Sequence, residues 1–243
     1  MRIPIIRGLI ERRVLVNFRI DPVVLSAVLP APFRPQIANG FGIAGICLIR
    51  LSHIRPKFLP SLFGISSENA AHRIAVEWDA NGETSTGVFI PRRDTSSLLN
   101  AFAGGRIFPG VHNLARFNVR ETDDHFQASM HSNDDCAHVS VAAHTTTKLP
   151  RDSIFRSVAE VSQFFEAGSL GYSPQTSNGH FDGLELRAFN WHVELLSVTQ
   201  IESSFFDDRE VFPAGSATFD NALLMRCIDH EWHSRESLCC TGG

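Results

Sequence analysis

The segment from residue 68 to residue 115 constrains the fold most strongly, because it contains two alternating segments around a strong turn signal. Ile74, Val76 and Trp78 fall on one side of an extended chain, and the residues between them fall on the other. The Asn81-Gly82 pair that follows tolerates the positive φ of a two-residue β-hairpin turn. We therefore predict a β-hairpin here, with one face buried.

A short helix is predicted directly after this hairpin. Asp94 is placed to cap the first free backbone N–H groups, and Gly104 is placed to end the helix. Three apolar residues fall on one helical face, and we expect that face to be buried: Leu98, Leu99 and Phe102.

The rest of the chain reads as short strands with a few helices. Apolar alternation or continuous apolar runs predict strands over 13–20, 43–51, 116–120, 125–131, 138–146, 184–195, 198–201 and 223–230. Helix starts are predicted at Asp21-Pro22 and, through a capping box, at Ser157. The pattern predicts a mainly β (α+β) fold, in which residues 1–243 form one domain. Its mainly antiparallel strands would form a barrel or a highly curved sheet, with short peripheral helices.

Composition excludes several classes of function. The net charge is -4, whereas proteins that bind nucleic acid usually carry a basic stripe. No apolar run approaches the length of a membrane span, and the first ten residues lack a signal-peptide core. The five cysteines form no metal-binding spacing, and their odd number suits a reducing compartment. We therefore expect a soluble cytoplasmic protein that binds neither nucleic acid nor membrane.

Four histidines fall on the polar face of the predicted hairpin between residues 125 and 144. Imidazole is a common metal ligand, so one alternative is a metal-dependent enzyme that uses His125, His131, His138 and His144. The spacing matches no known site and no carboxylate falls in register, so a solvated sheet face is the preferred interpretation. We accordingly predict no metal and no cofactor.

A cluster of charged residues surrounds the central hairpin. It is either a surface ion-pair network or the lining of an anion site. The cluster contains Glu68, Arg73, Arg92, Arg93, Asp94 and Arg106. No nucleophile elbow and no glycine-rich phosphate loop accompanies it.

Several stretches resemble one protein family. The segments GVFIPRRDT (87–95), GGRIFPG (104–110), SSFFDD (203–208) and HEW (230–232) are similar to those of the YqjF-like domain-of-unknown-function family. That family belongs to the acetoacetate decarboxylase-like superfamily. The opening segment 12–36 and Gly64-Ile-Ser-Ser-Glu68 resemble the more distant decarboxylases themselves.

The resemblance implies a cone-like antiparallel barrel with a small pocket. Glu68 falls on the active-site glutamate of the decarboxylases and would be the acid or base. Arg106 falls on a pocket arginine and would bind a ligand carboxylate. His112 lies near the position of the Schiff-base lysine and is a second catalytic candidate. Three further residues are expected at the substrate: Arg92, Arg93 and Tyr172.

The Schiff-base lysine itself does not carry over. The two lysines of the chain, Lys57 and Lys148, lie outside the matching segment, so imine chemistry with a ketone is not expected. The function that the resemblance implies is binding of a small carboxylate or keto-acid-like ligand, with or without acid–base turnover. A non-catalytic ligand-binding or assembly module is the alternative, and homo-oligomer formation is left open.

Overall fold

One continuous sheet organises the chain. The computed structural model describes residues 4–80, 82–104, 109–175 and 179–239. Within these ranges 13 strands form the sheet: β1 Ile6–Ile20, β2 Arg34–Pro35, β3 Ile37–Ala38, β4 Phe41–Pro56, β5 Ile65–Ala80, β6 Glu83–Thr95, β7 His112–Glu121, β8 His125–Ser132, β9 His138–Thr146, β10 Leu170–Pro174, β11 His180–Ala188, β12 Glu194–Ser203 and β13 Ala217–Cys239. Three short α-helices accompany them: α1 Pro22–Val28, α2 Leu98–Ala103 and α3 Val158–Ala167. A 3₁₀ turn spans Ser61–Phe63.

The strand pairings close on themselves twice. One circuit runs β6-β7-β8-β9-β12-β13-β1-β4-β5 and returns to β6. A second circuit shares β13, β1, β4, β5 and β6, and it closes through β10 and β11. All pairs are antiparallel except those of β6 with β7 and with β10. The predicted curved, mainly antiparallel sheet with short helices is confirmed.

Each face of the shared strands carries its own apolar core, because side chains alternate along a strand. Val14, Ile46 and Ile74 belong to the larger core, which also contains the apolar face of β8 and β9. Leu15, Cys47 and Ala75 belong to the second core, where Phe165 of α3 packs. The shared strands are thus buried on both sides, and the second core lies under α3.

Two of the predicted helix starts are confirmed. The Asp21 side chain accepts a hydrogen bond from the backbone N–H of Val23 at 2.8 Å, and Pro22 follows as the first helical residue. The Ser157 hydroxyl accepts from the backbone N–H of Glu160 at 3.2 Å, and α3 ends before Gly168.

The prediction for α2 was wrong in two respects. Asp94 belongs to β6, and the helix is capped by Ser97, whose hydroxyl accepts from the backbone N–H of Asn100 at 3.2 Å. The apolar side chains expected to be buried are exposed, with 73% for Leu98, 64% for Leu99 and 67% for Phe102. Six residues make fewer than two turns, and α2 is held to β5 by a hydrogen bond from Asn100 to the Ser67 hydroxyl rather than by an apolar stripe.

No helix in the described ranges has the length and apolar character needed to cross a membrane. The predicted strand 223–230 is part of β13.

Candidate functional site

A cavity of about 430 Å³ opens on the face of the shared strands that α3 covers. Its floor is β4, β5 and β6, and its walls come from β10, β11 and the carboxyl end of α3. Apolar side chains make most of the wall, among them Phe165, Leu186, Trp191 and Trp232. Against this apolar wall stand three arginines, which give the cavity its chemical character: Arg13, Arg73 and Arg93.

Arg73 is buried and reaches across the sheet toward β1. It pairs in register with Gly45, which pairs in turn with Asn17 on β1. Because Gly45 has no side chain, the Arg73 guanidinium passes over it and donates a hydrogen bond from Nη2 to Oδ1 of Asn17. The guanidinium also lies 4.5 Å from the ring centre of Phe165, a cation–π distance.

Arg73 has no acidic partner in the described part of the chain. Its Nε makes no hydrogen bond within the described residues, and the whole residue is only 6% exposed. Burial lowers the pKa of Arg73 to about 9, which leaves the side chain charged at neutral pH. A buried cation without a carboxylate is costly, so an anion in the cavity would stabilise this arrangement.

Arg93 lies on the next strand, β6, and its guanidinium extends toward β10 rather than toward β1. Ala71 pairs with Cys47 on one side and with Arg93 on the other, so the small alanine leaves the floor open between them. The Arg93 Nε donates to the Ser173 hydroxyl of β10 at 3.0 Å. Burial lowers the pKa of Arg93 to about 10, so this guanidinium is also charged at neutral pH.

His112 starts β7 beside Arg93, with which it pairs in register. Its Nδ1 lies 3.0 Å from the carbonyl oxygen of Gly110, which can only accept, so Nδ1 carries the proton and Nε2 keeps its lone pair. Burial and, second, the charge of Arg93 lower the pKa of His112 to about 4. The imidazole is therefore neutral at pH 7, with Nε2 unprotonated.

Arg13 completes the cationic set from β1. It pairs with Ile49, which pairs with Asn69, and all three line the cavity. Its Nε is buried and has no hydrogen-bond partner among the described residues. Its positive charge acts on Arg73, whose pKa it helps to lower.

Two carboxylates occur among the described residues of the lining, and neither neutralises these arginines. Asp94 accepts from Arg92 through Nε and Nη2 at 2.9–3.1 Å. Glu166 is exposed near the end of α3. A fourth arginine of the lining, Arg187, is exposed and bound to Glu185 at 2.7 Å.

Glu68 does not lie in this cavity, contrary to our expectation. Asn69, the next residue of β5, lines the cavity, and strand alternation turns Glu68 to the opposite face. There its carboxylate binds Arg12 and Arg50, which occupy the neighbouring positions of β1 and β4. Glu68 is thus the centre of an ion-pair network that includes Glu121.

Of the other predicted site residues, some line the cavity and others lie elsewhere in the structure. His112 and Arg93 line the cavity, whereas Arg92 binds Asp94 and Asp134. Tyr172 is buried in the larger core, where its ring centre lies 5.2 Å from that of Trp78. Arg106, expected to meet Glu68 in one pocket, lies outside the described residues.

The histidine face has the arrangement of a solvated sheet surface. His131 and His138 form one cross-strand pair, with ring centres 5.6 Å apart, and His125 and His144 form the other, at 6.3 Å. The described residues contain no group of three or more His, Cys, Asp or Glu side chains placed to hold a metal ion.

Sequence reasoning missed Arg13 and Cys47 and did not single out Arg73 from the charged cluster. Arg73 shares a strand face with Ala71 and Ala75, whose small side chains leave open space around a long cation. An arginine at an inward position of a buried strand, flanked by alanines, was the signal available in the sequence.

Comparison with known proteins supports the fold and the family. The structure is similar to acetoacetate decarboxylase from Legionella pneumophila, with a TM-score of 0.61, 10% identity and coverage of 97% of this chain and 88% of that one. An acetoacetate decarboxylase-like enzyme from Sphingomonas wittichii RW1 gives a TM-score of 0.60 at 12% identity, over 97% and 92% of the two chains. The enduracididine biosynthesis enzyme MppR, complexed with pyruvate, gives 0.57 at 9% identity over 98% and 90%.

At these identities the likeness establishes the acetoacetate decarboxylase-like fold. No curated protein matches the sequence. The signature of DUF2071, described as an uncharacterized conserved protein family, matches residues 10–208, which is most of the chain. The chain therefore belongs to the DUF2071 family, with an acetoacetate decarboxylase-like fold.

Proposed function

We propose that the cavity binds a small carboxylate of the keto-acid type, with Arg93 as the ligand for its carboxylate. The observation that carries this proposal is the set of three arginines that face an apolar cavity without a neutralising carboxylate in the described lining. A guanidinium matches a carboxylate with two parallel hydrogen bonds, which are strong where water is excluded. The pyruvate complex of MppR, which has the same fold, is consistent with such a ligand.

Titration calorimetry with pyruvate tests this proposal. We expect saturable binding by the wild-type chain and a loss of about tenfold or more in Arg93→Gln, because one charge-assisted contact disappears. Arg116→Gln, on the exposed side of β7, is the matched control and should bind as the wild type does. Absence of pyruvate binding by the wild type, or equal binding by Arg93→Gln, would contradict the proposal.

Cys47 offers an independent way to locate the bound ligand. Its thiol lies on the cavity floor, and Cys47 pairs in register with Ala71, the strand partner of Arg93. Bound pyruvate should slow the alkylation of Cys47 by iodoacetamide severalfold. The exposed thiols of Cys136 and Cys227 serve as controls within the same sample and should react at unchanged rates. Equal protection of all three would place the ligand elsewhere.

In this proposal His112 moves a proton on the bound keto acid. Its neutral Nε2 takes a proton from the carbon next to the ketone, and Arg93 stabilises the enolate oxygen that forms. If this step occurs, the methyl group of pyruvate should exchange its hydrogen for deuterium in D₂O, which NMR measures. The exchange should be lost in His112→Gln. Binding of pyruvate without exchange would instead identify a non-catalytic binding module.

Imine chemistry is absent from the proposal. Lys57 pairs with Glu231 at 2.8 Å, and Lys148 is exposed, so neither lysine lines the cavity. Borohydride treatment with acetoacetate should leave the mass of the protein unchanged. A mass increase on either lysine would show that a Schiff base forms after all.

A further inference from the structure

The cationic groups of the cavity form two separate ends. Arg73 and Arg93 lie on adjacent strands as diagonal neighbours, because Arg93 pairs with Ala71, two residues before Arg73. Such neighbours have Cα atoms about 7–8 Å apart. Their guanidiniums then diverge, since Arg73 is tied to Asn17 on β1 and Arg93 to Ser173 on β10.

The end near β1 holds two arginines. The Arg73 guanidinium is bonded to Asn17 of β1, and Arg13 lies four residues before Asn17 on the same strand. The Nε of each arginine is buried without a hydrogen bond among the described residues. The end near β10 holds Arg93 with His112. Cys47 lies between the two ends, since it pairs with Leu15 of β1 on one side and with Ala71, the partner of Arg93, on the other.

A monocarboxylate at Arg93 leaves the Arg13–Arg73 end without a counter-charge. The described lining offers no substitute, because Asp94 is bound to Arg92 and Glu166 is exposed. Arg73 is a buried cation without an acidic partner among the described residues, and a second anion at this end would offset the cost of burying it.

We infer that the physiological ligand is a dicarboxylate, of the 2-oxo diacid class, that spans the two ends. One carboxylate, with the ketone beside it, lies at Arg93 and His112, and the distal carboxylate lies between Arg13 and Arg73. This inference rests on the proposed function and adds to it the second anionic group. The apolar wall between the ends contacts the methylene chain of such a ligand.

Diacids compared with their half-amides test the second carboxylate. Succinate, glutarate and adipate would be titrated against succinamate, glutaramate and adipamate, which have nearly the same shape but one charge fewer. We expect the best diacid to bind about tenfold or more tightly than its half-amide, as for the gain of one charge-assisted pair. Equal affinities of each diacid and its half-amide would overturn the inference while leaving the proposed function intact.

Variants then assign the second carboxylate to its residues. Arg73→Gln should abolish the diacid preference yet retain pyruvate binding, whereas Arg93→Gln should weaken pyruvate itself. Since Arg73 is buried, Arg13→Gln is a second variant of the same end, with Arg116→Gln as the surface control. A diacid preference that survives both Arg73→Gln and Arg13→Gln would show that this end is not the distal site. Failure of the wild type to bind any of these acids or pyruvate would instead overturn the proposed function.

Discussion

At the scale of single residues, the placement of the arginines in the cavity depends on the small residues beside them. Gly45 lets Arg73 lie across β4 and reach Asn17, and Ala71 keeps the floor open between Cys47 and Arg93. Both are small residues, on neighbouring strands of the sheet face that carries the second apolar core. The position of the charge in the cavity therefore rests on neighbours that carry no charge.

Replacing Gly45 by alanine tests this dependence. A Cβ at this position would overlap the backbone carbonyl oxygen of Val16 and approach Oδ1 of Asn17 at 3.1 Å. We expect a loss of about 1–3 kcal/mol in the free energy of unfolding, measured by urea denaturation, together with weaker diacid binding. Gly168→Ala is the matched control, because its added Cβ would meet only ordinary contacts at 3.7 Å or more. Equal stabilities of the two variants would contradict this account.

At the scale of elements, the short helices differ in how they are attached. α1 buries Leu25 completely beneath it, and an added Cβ at Gly42 of β4 would run into that leucine. α2 leaves Leu98 and Leu99 exposed and is held by polar contacts of Asn100 and Ser97. A helix of six or seven residues has little stability of its own, so these contacts decide where each one lies.

Leucine-to-alanine substitutions in the two helices should separate these attachments. Leu25→Ala is expected to cost about 2–5 kcal/mol in the free energy of unfolding, because it leaves a cavity in the larger core. Leu99→Ala, with 64% of its side chain exposed, is expected to cost less than about 0.5 kcal/mol. A comparable loss in both, by thermal or urea unfolding, would mean that α2 is packed more tightly than its exposure indicates.

At the scale of the whole molecule, buried neutral histidines should make stability sensitive to mild acid. Burial lowers the pKa of His72, His112 and His230 from the ordinary 6.5 to about 4 in each case. Between these two pH values the unfolded chain binds protons that the folded chain does not, so stability falls as the pH falls. Above pH 6.5 all three are neutral in both states and contribute no pH dependence.

Urea unfolding at pH 7.5, 6 and 5 measures this effect. Each histidine contributes a slope of up to about 1.4 kcal/mol per pH unit below its unfolded pKa. His72→Asn should reduce the slope, because burial lowers the pKa of His72 in the folded state. Constant stability from pH 7.5 to pH 5 would rule out the buried neutral histidines as the source of acid sensitivity.

The sequence by itself determined the kind of structure and much of its local geometry. Alternating apolar positions indicated the strands, and Asp21 and Ser157 indicated two helix starts, because periodicity and capping are local properties of the chain. Quoted motifs identified the family and, through it, the curved sheet. Arg93 was predicted as a site residue because it lies within GVFIPRRDT, and His112 because it lies near the position of the Schiff-base lysine of the decarboxylases; both line the cavity.

Only the tertiary structure decided which face each charge occupies. Glu68 and Asn69 are adjacent in sequence, yet they lie on opposite faces of β5, and the cavity opens on the face of Asn69. The choice between faces depends on where α3, β10 and β11 pack, and those segments lie about a hundred residues later in the chain. Arg13, Cys47 and Arg73 meet for the same reason: β1, β4 and β5 pair in one register, and long-range register is not encoded in any single stretch.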